Sequence, residues 1–170
     1  KTERYNSDIV TVLSGEWEFK YYKKKSKLPA TIDTSKIKFD KVNVPSTWQR
    51  TGYEIPEYIN TPYGFDNRKF GGEWGKGVRP PELPEDFSCG IYRKFIDIED
   101  KTKKYVLTFL GITPCVDLYI NGAFVGFGEG SHNSYEFDVT DYLKEGSNEI
   151  IAVVFKWSIG SYLEAQDMFR

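Results

Sequence analysis

The chain has very few of the residues that build metal centres and covalent frameworks. Its two cysteines, Cys89 and Cys115, and its single histidine, His132, are too few for a closed four-ligand zinc site or a disulfide framework. The sequence leaves open whether the two cysteines are free thiols or a pair. The histidine lies in the polar stretch 130–134, which indicates a loop residue rather than the base of a Ser-His-Asp or Cys-His nucleophile.

Excess charge and long apolar runs are also missing. The 23 basic and 25 acidic side chains give a net charge of -2, so no bulk field attracts nucleic acid or an anionic membrane. The longest apolar run, residues 150–155, is far shorter than the roughly 20 residues of a membrane helix, and no secretory leader opens the sequence. We therefore expect a cytoplasmic protein with neither nucleic acid nor membrane as a partner.

Aromatic residues, in contrast, are abundant: 12 Tyr, 12 Phe and 4 Trp make up 16% of the 170 residues. Burying one such side chain contributes on the order of 4–6 kcal/mol before entropy is subtracted, so most of them are expected in a core. A minority could stack on an apolar ligand face, such as the C–H face of a sugar. The rings that we assign to strand faces and core are Trp17, Phe19, Phe95, Phe109, Phe137 and Phe155.

The hydrophobic pattern is that of short strands. Trp17, Phe19 and Tyr21 alternate with charged residues, as in a strand with one buried face. Asn121 and Gly122 accept the positive φ angles of a type I′ turn and predict a hairpin. No stretch of ten residues carries a helical apolar stripe, so the sequence predicts an antiparallel β-sandwich, most simply a jelly-roll. Further strands are predicted at residues 39–44, 91–98, 105–110, 115–120, 123–127, 135–139 and 149–157.

Other local patterns give more specific expectations. Residues 105–110 are apolar on both faces, which is typical of a central strand. Thr140 is a suitable cap for a helical turn over residues 141–144. The lysine-rich stretch 23–27 is expected to be a solvated loop rather than a binding patch. The long Gly- and Pro-rich stretch 45–89 is expected to carry function or to cover another part of the molecule.

An ordered series of short motifs runs along the chain. The motifs are Val44-Pro45-Ser46-Thr47-Trp48-Gln49, Gly52-Tyr53, Pro56, Tyr58-Ile59-Asn60, Pro62-Tyr63, Gly90-Ile91-Tyr92-Arg93, Asn121-Gly122 with Val125-Gly126, Glu136-Phe137-Asp138, Trp157-Ser158, Gly160-Ser161-Tyr162-Leu163-Glu164 and Gln166-Asp167-Met168. Over residues 12 to 170 this series resembles the sugar-binding domain of glycoside hydrolase family 2 β-galactosidases.

This resemblance implies a jelly-roll of the galactose-binding-like type that precedes an immunoglobulin-like domain and a (β/α)₈ barrel. The barrel of the family holds the catalytic acid and nucleophile glutamates, so no catalytic residue is expected here and the isolated domain is expected to be inactive. We interpret residues 1–170 as a single domain excised from a longer enzyme. Within it, residues 1–14 are a lead-in, 15–157 the sandwich and 158–170 a segment toward the next domain.

The resemblance also implies specific binding residues. Asn60 and Asp167 match an asparagine and an aspartate that lie near galactose, and Asp167 would also help to hold a monovalent cation. Tyr58, Tyr162 and Glu164 are expected at the pocket edge. Sodium and magnesium are implied as cofactors of the full-length enzyme. The implied partners are a β-galactoside substrate, the other domains of the parent chain and further copies in a homo-oligomer.

The sequence departs from the family at a few places and leaves two alternatives open. Ile159 replaces a usual acidic residue, Phe169 replaces a tryptophan, and the loop at 64–86 is longer and richer in glycine. One alternative is a free-standing carbohydrate-binding module that uses exposed rings such as Trp74 or Tyr162. The other is a purely structural domain that packs on the barrel without touching sugar.

Overall fold

The computed structural model describes residues 3–56 and 81–164. Eight strands and one helical turn lie within these ranges, together with 3₁₀ turns at Glu3–Asn6, Lys25–Lys27, Thr34–Lys36 and Thr140–Tyr142. The strands are β1 (Gly15–Tyr22), β2 (Asp40–Val44), β3 (Cys89–Ile98), β4 (Val106–Phe109), β5 (Cys115–Ile120), β6 (Ala123–Glu129), β7 (Tyr135–Asp138) and β8 (Gly146–Phe155), and the helical turn is α1 (Ser161–Glu164).

The strands form two antiparallel sheets. The larger has the order β2-β1-β3-β8-β5-β6, and the smaller consists of β4 and β7. The predicted antiparallel β-sandwich is therefore confirmed. The helical segments within the described ranges are all too short to cross a bilayer.

The core lies between the two sheets and is rich in aromatic rings. Phe19 is completely buried in it, with ring centroids 4.5 Å from Tyr92 and 5.0 Å from Tyr53. On β6, Gly126 and Gly128 leave room for the rings of Phe137 and Tyr135 on β7. Small residues on one strand thus let the second sheet approach the first closely.

The opposite face of the large sheet is covered by the chain between β1 and β2. Ile91, Ile151 and Val153 are buried there. Arg93 on the same face lies 4.1 Å from the centroid of the Phe39 ring and bonds to Glu18 over 2.6 Å. The covering segment contributes Leu28, Ile32, Ile37 and Phe39. Residues 23–27 are exposed, as expected of a solvated loop.

The cysteines are two free, buried thiols rather than a pair. Cys89 on β3 and Cys115 on β5 are both paired in register with Phe155 on β8, the strand between them. Two strand spacings separate their Cα atoms by about 10 Å, beyond the roughly 7 Å limit for a disulfide. The alternative of a bonded pair is thereby removed.

Hairpin geometry follows the sequence closely. Asn121 and Gly122 have φ angles of 50° and 82°, which confirms the predicted type I′ turn. The Asn121 Nδ2 atom donates to Oδ1 of the fully buried Asn148 over 2.8 Å. The Asn148 amide also donates to the carbonyls of Lys144 and Gly146, so the residues before β8 are held by one buried side chain.

Three local expectations are wrong. Strand β4 pairs with β7 in the two-stranded sheet, and Val106 and Leu110 are more than half exposed, so this strand is not central. The apolar residues on both faces predicted that a sheet would cover each face of β4, but its outward face is not covered.

The Thr140 hydroxyl does not cap its own turn. It accepts from the backbone N–H of Tyr105 over 2.9 Å and so links the residues before β4 to those after β7. Phe95 is half exposed rather than in the core, and its ring lies 5.3 Å from the Arg93 guanidinium.

Candidate functional site

Two of the five predicted site residues lie within the described part of the chain. Asn60, Tyr58 and Asp167 fall outside the described residues, as do Trp74 and Phe169. Tyr162 and Glu164 are described. The site is therefore built from the segments that lead toward its predicted residues: residues 47–56, which we call the first arm, and residues 156–164, the second arm.

The first arm is held by one carboxylate. Glu54 accepts a hydrogen bond from Trp48 Nε1 over 2.7 Å and a weaker one from Gln49 Nε2 over 3.4 Å. Its Oε2 atom also accepts from the hydroxyl of Ser88, over 3.1 Å, just before β3. The buried Trp48 ring is thereby fixed at both its apolar face and its N–H.

The same carboxylate reaches the second arm. Lys156 Nζ lies 2.6 Å from Glu54 Oε1, and the two side chains are only 18% and 20% exposed. The ion pair joins residues that are 102 positions apart in the chain. Because both ends are largely shielded from water, their attraction is screened less than that of a surface pair.

The ionisation of Glu54 reflects these contacts. Burial acts most strongly and raises the pKa of Glu54, but the hydrogen bonds from Lys156, Trp48 and Ser88 and the Lys156 charge together bring the pKa below its ordinary value. Glu54 is thus an anion held by surrounding donors. Such a carboxylate is suited to fixing geometry rather than to accepting a proton near neutral pH.

The second arm leaves the sheet through a tight turn. After β8, the backbone N–H of Ser158 donates to the Ser161 hydroxyl over 3.0 Å, and both serines are buried. The backbone N–H of Gly160 donates to Oε1 of Glu129, at the end of β6, over 2.6 Å. Gly160 allows this approach because a Cβ there would lie 3.3 Å from the Glu129 side chain.

Glu164 binds the loop between β6 and β7. Its carboxylate accepts from the backbone N–H of Ser131 over 2.9 Å and from the Ser131 hydroxyl over 2.5 Å. The Tyr135 hydroxyl, at the start of β7, donates to the carbonyl of Gly130 in this loop over 2.6 Å. Glu164 is therefore engaged in holding the second arm. His132 beside it is exposed, as expected for a loop histidine.

Tyr162 is buried rather than presented to solvent. Only 5% of its surface is exposed, and its hydroxyl donates to the backbone carbonyl of Glu82. The expectation that Tyr162 offers an exposed ring for stacking on sugar is therefore wrong, because the ring packs inside the domain. Its contact with Glu82 ties the second arm to the chain that leads into β3.

These contacts bring the two arms to one end of the sandwich. Glu54 joins the first arm to Lys156, and Tyr162 joins the second arm to residue 82. Apolar side chains are exposed on the same arms: Ile55, Ile159 and Leu163 are 81%, 55% and 80% exposed. The arrangement can present two chain segments side by side toward a ligand or a neighbouring domain.

Sequence reasoning missed Glu54, Glu129 and Ser131. Glu54 lies between the motifs Gly52-Tyr53 and Pro56, six residues after Trp48, and a carboxylate so close to a core tryptophan was the signal available. No local pattern indicates Glu129 and Ser131, because their partners lie more than 30 residues away.

Metal binding finds no support in the described ranges. Residues 3–56 and 81–164 contain no cluster of three or more His, Cys, Asp or Glu side chains that could hold a metal ion. The predicted cation ligand, Asp167, lies outside these residues. The implied sodium and magnesium sites remain predictions, and no chemical step is derived through them.

Comparison with known proteins gives a consistent result. The family described as "Glycosyl hydrolases family 2, sugar binding domain" matches residues 10–170. The chain is 39% identical over 169 residues to a beta-galactosidase of Actinobacillus pleuropneumoniae, covering 99% of this chain and 16% of that protein. A beta-galactosidase of Staphylococcus xylosus is also 39% identical, over 170 residues that cover 98% of this chain and 16% of the relative.

The fold itself recurs in solved structures. A β-glucuronidase from Ruminococcus gnavus superimposes with a TM-score of 0.58 at 16% sequence identity, covering 85% of this chain and 21% of that one. At this identity the likeness concerns the fold alone. The chain spans about one sixth of the length of the curated relatives named above.

Proposed function

This chain belongs to glycosyl hydrolase family 2, as its sugar-binding domain, and from that premise we propose that it forms the rim of the galactose subsite in a β-galactosidase. In this proposal the longer enzyme hydrolyses terminal β-D-galactosyl bonds, and its catalytic glutamates lie in a barrel domain outside these 170 residues. The domain alone has no hydrolytic activity. The curated relatives, which are beta-galactosidases over six times as long as the match, support this role.

The observation that carries the proposal is the joining of the two arms. The first arm leads to Asn60, six residues beyond Glu54, and the second leads to Asp167, eleven residues beyond Lys156. Glu54 and Lys156 are in contact over 2.6 Å. The segments that lead to the two proposed sugar ligands therefore start from one ion pair at one end of the sandwich.

The chemistry of the two side chains suits a sugar. In the proposal, the Asp167 carboxylate accepts hydrogen bonds from galactosyl hydroxyls, and charge-assisted bonds of this kind are stronger than neutral ones. The Asn60 amide can both donate and accept, which matches a hydroxyl. Contacts that tighten in the transition state would raise kcat, whereas contacts of equal strength in the ground state would only lower KM.

The decisive experiment replaces Asp167 by Asn in the full-length enzyme and measures kcat/KM on a β-galactoside. Loss of one charged contact, on the order of 1.5–3 kcal/mol, should lower kcat/KM by roughly 10- to 150-fold. Asn60→Ala should act in the same direction. Unchanged kinetics in both variants would overturn the proposed role and favour a purely structural domain.

A matched control and a second assay separate the remaining alternatives. Asp97→Asn makes the same carboxylate-to-amide change at an exposed position near the end of β3 opposite Ser88, away from both arms, and should leave kcat/KM unchanged. Titration of the 170-residue chain with galactose and lactose tests the free-standing module. Saturable binding by the domain alone would support a module, whereas the proposal expects affinity to depend on the rest of the enzyme.

A further inference from the structure

We propose that Glu54 is a positioning residue for the sugar subsite, acting by locking the first arm against the second. The inference rests on the proposed function, because it concerns the spacing of the segments that lead to Asn60 and Asp167. Glu54 itself does not touch the sugar in this proposal. It acts through Lys156 and through the Trp48 side chain.

The Glu54 carboxylate contacts four partners from three parts of the chain. Trp48 and Gln49 belong to the first arm, Ser88 precedes β3, and Lys156 begins the second arm. Each oxygen is used differently: Oε1 binds Lys156, and Oε2 accepts from the other three groups. Rotation of the carboxylate would disturb both arms at once.

The other described bonds of each arm are made within that arm or to the sheet and its loops, and Ser88 accepts from the Lys156 N–H over 2.9 Å. The Trp48 backbone carbonyl accepts from the N–H of Tyr53 over 3.0 Å, which closes the first arm on itself. On the second arm, Gly160 and Glu164 bind Glu129 and Ser131, which belong to β6 and its following loop. The Glu54–Lys156 pair is a side-chain bond that joins one arm directly to the other.

The domain offers a closely matched control. Glu149 has 20% side-chain exposure, the same as Glu54, and pairs with Arg93, which is 16% exposed. This pair lies on β8 and β3, and Glu149 also accepts from the Thr34 hydroxyl. Removing its charge perturbs a half-buried ion pair of the same burial without touching either arm.

The test is a double-mutant cycle in the full-length enzyme, using Glu54→Gln, Asp167→Asn and both together. We expect Glu54→Gln to lower kcat/KM for a β-galactoside about tenfold, because small displacements of positioned groups cost rate steeply. In the Asp167→Asn background the same change should cost less than threefold, since the ligand that it positions is already impaired. Glu149→Gln should leave kcat/KM unchanged, whatever it costs in melting temperature.

The outcomes of the double-mutant cycle distinguish a positioning role of Glu54 from a purely structural one. Equal fold-losses for Glu54→Gln in both backgrounds would overturn the positioning role, because a purely structural effect is additive with Asp167→Asn. If neither Asp167→Asn nor Asn60→Ala lowers kcat/KM, the proposed function fails independently of Glu54; if only Asn60→Ala does, the cycle is run with that variant in place of Asp167→Asn. If Glu54→Gln does not fold, Lys156→Met breaks the same link while leaving the bonds to Trp48 and Ser88. The same cycle run with Lys156→Met then confirms or overturns the role.

Discussion

The carboxylate of Glu164 accepts hydrogen bonds from both the backbone N–H and the hydroxyl of Ser131, over 2.9 and 2.5 Å. A one-turn helix at the end of the described chain is thus fastened to the loop between two strands. With the bond from Gly160 to Glu129, it gives the second arm two attachments to β6 and the loop after it. A helix of four residues could not hold itself in place.

Removing the Ser131 hydroxyl should loosen this attachment. Ser131→Ala deletes a hydrogen bond to a charged group and should cost about 1.5 kcal/mol of unfolding free energy. Urea denaturation measures the loss, and amide exchange should accelerate at residues 161–164. The exposed Ser134→Ala in the same loop is the control. Equal stability of the two variants would show that the Ser131 hydroxyl bond to Glu164 adds no stability.

Gly90 should tolerate no side chain. A Cβ atom at Gly90 would lie 2.5 Å from Cε2 and 2.9 Å from Cζ of the buried Phe19 ring. Gly90→Ala should therefore destabilise the chain by about 2 kcal/mol through overpacking. At Gly111 a Cβ would meet no atom within 4 Å, so Gly111→Ala should change stability by less than about 0.5 kcal/mol. Thermal melts of both variants check the contrast, which an unshifted Gly90→Ala would contradict.

The two thiols should be inert in the folded chain. Burial raises the pKa of Cys89 to about 11, and burial with the charges of Glu129 and Asp117 raises the pKa of Cys115 to about 12. Reaction with a thiol reagent at pH 8 should be at least about 100-fold slower than in urea, because the thiolate is the reactive form. Rapid labelling of either cysteine in the native chain would contradict this packing.

Alkaline pH should also weaken the fold through these thiols. Their pKa values in the folded chain exceed the ordinary 9.0, so their contribution to stability is complete below pH 9 and is lost as pH rises toward 11–12. The urea midpoint should fall over this range. A Cys89→Ala, Cys115→Ala double variant should show a shallower fall, and an identical slope would argue against the shift.

Glu54 should make stability depend on acidic pH. Its pKa in the folded chain lies below the ordinary 4.5, so ionised Glu54 stabilises the fold above pH 4.5. That contribution is lost as pH falls through the folded-state pKa, because protonation removes the bond to Lys156. Urea denaturation between pH 6 and pH 3 should show a steeper loss for the native sequence than for Glu54→Gln. Parallel curves would mean that the pair with Lys156 adds no stability.

Local patterns were enough to predict the strands, but not the position of each strand in its sheet. Alternation at Trp17 and Phe19 and the Asn121-Gly122 turn predicted β1 and the β5–β6 hairpin, because side-chain direction and turn geometry are set by neighbours in the chain. The central position predicted for residues 105–110 was wrong because an apolar strand at the edge of a small sheet can have the same composition as a central one. The number of strands stacked beside it is a property of the whole fold.

For the candidate site, too, the sequence determined some features and the tertiary structure determined others. The sequence by itself determined the family and the motifs that contain Trp48, Tyr162 and Glu164, since these are continuous stretches of residues. Only the tertiary structure decided that Tyr162 is buried and that Glu54 binds Lys156, 102 residues away. The physical reason is that an ion pair needs charge and a distance of a few ångströms, and a sequence displays the charge but not the distance.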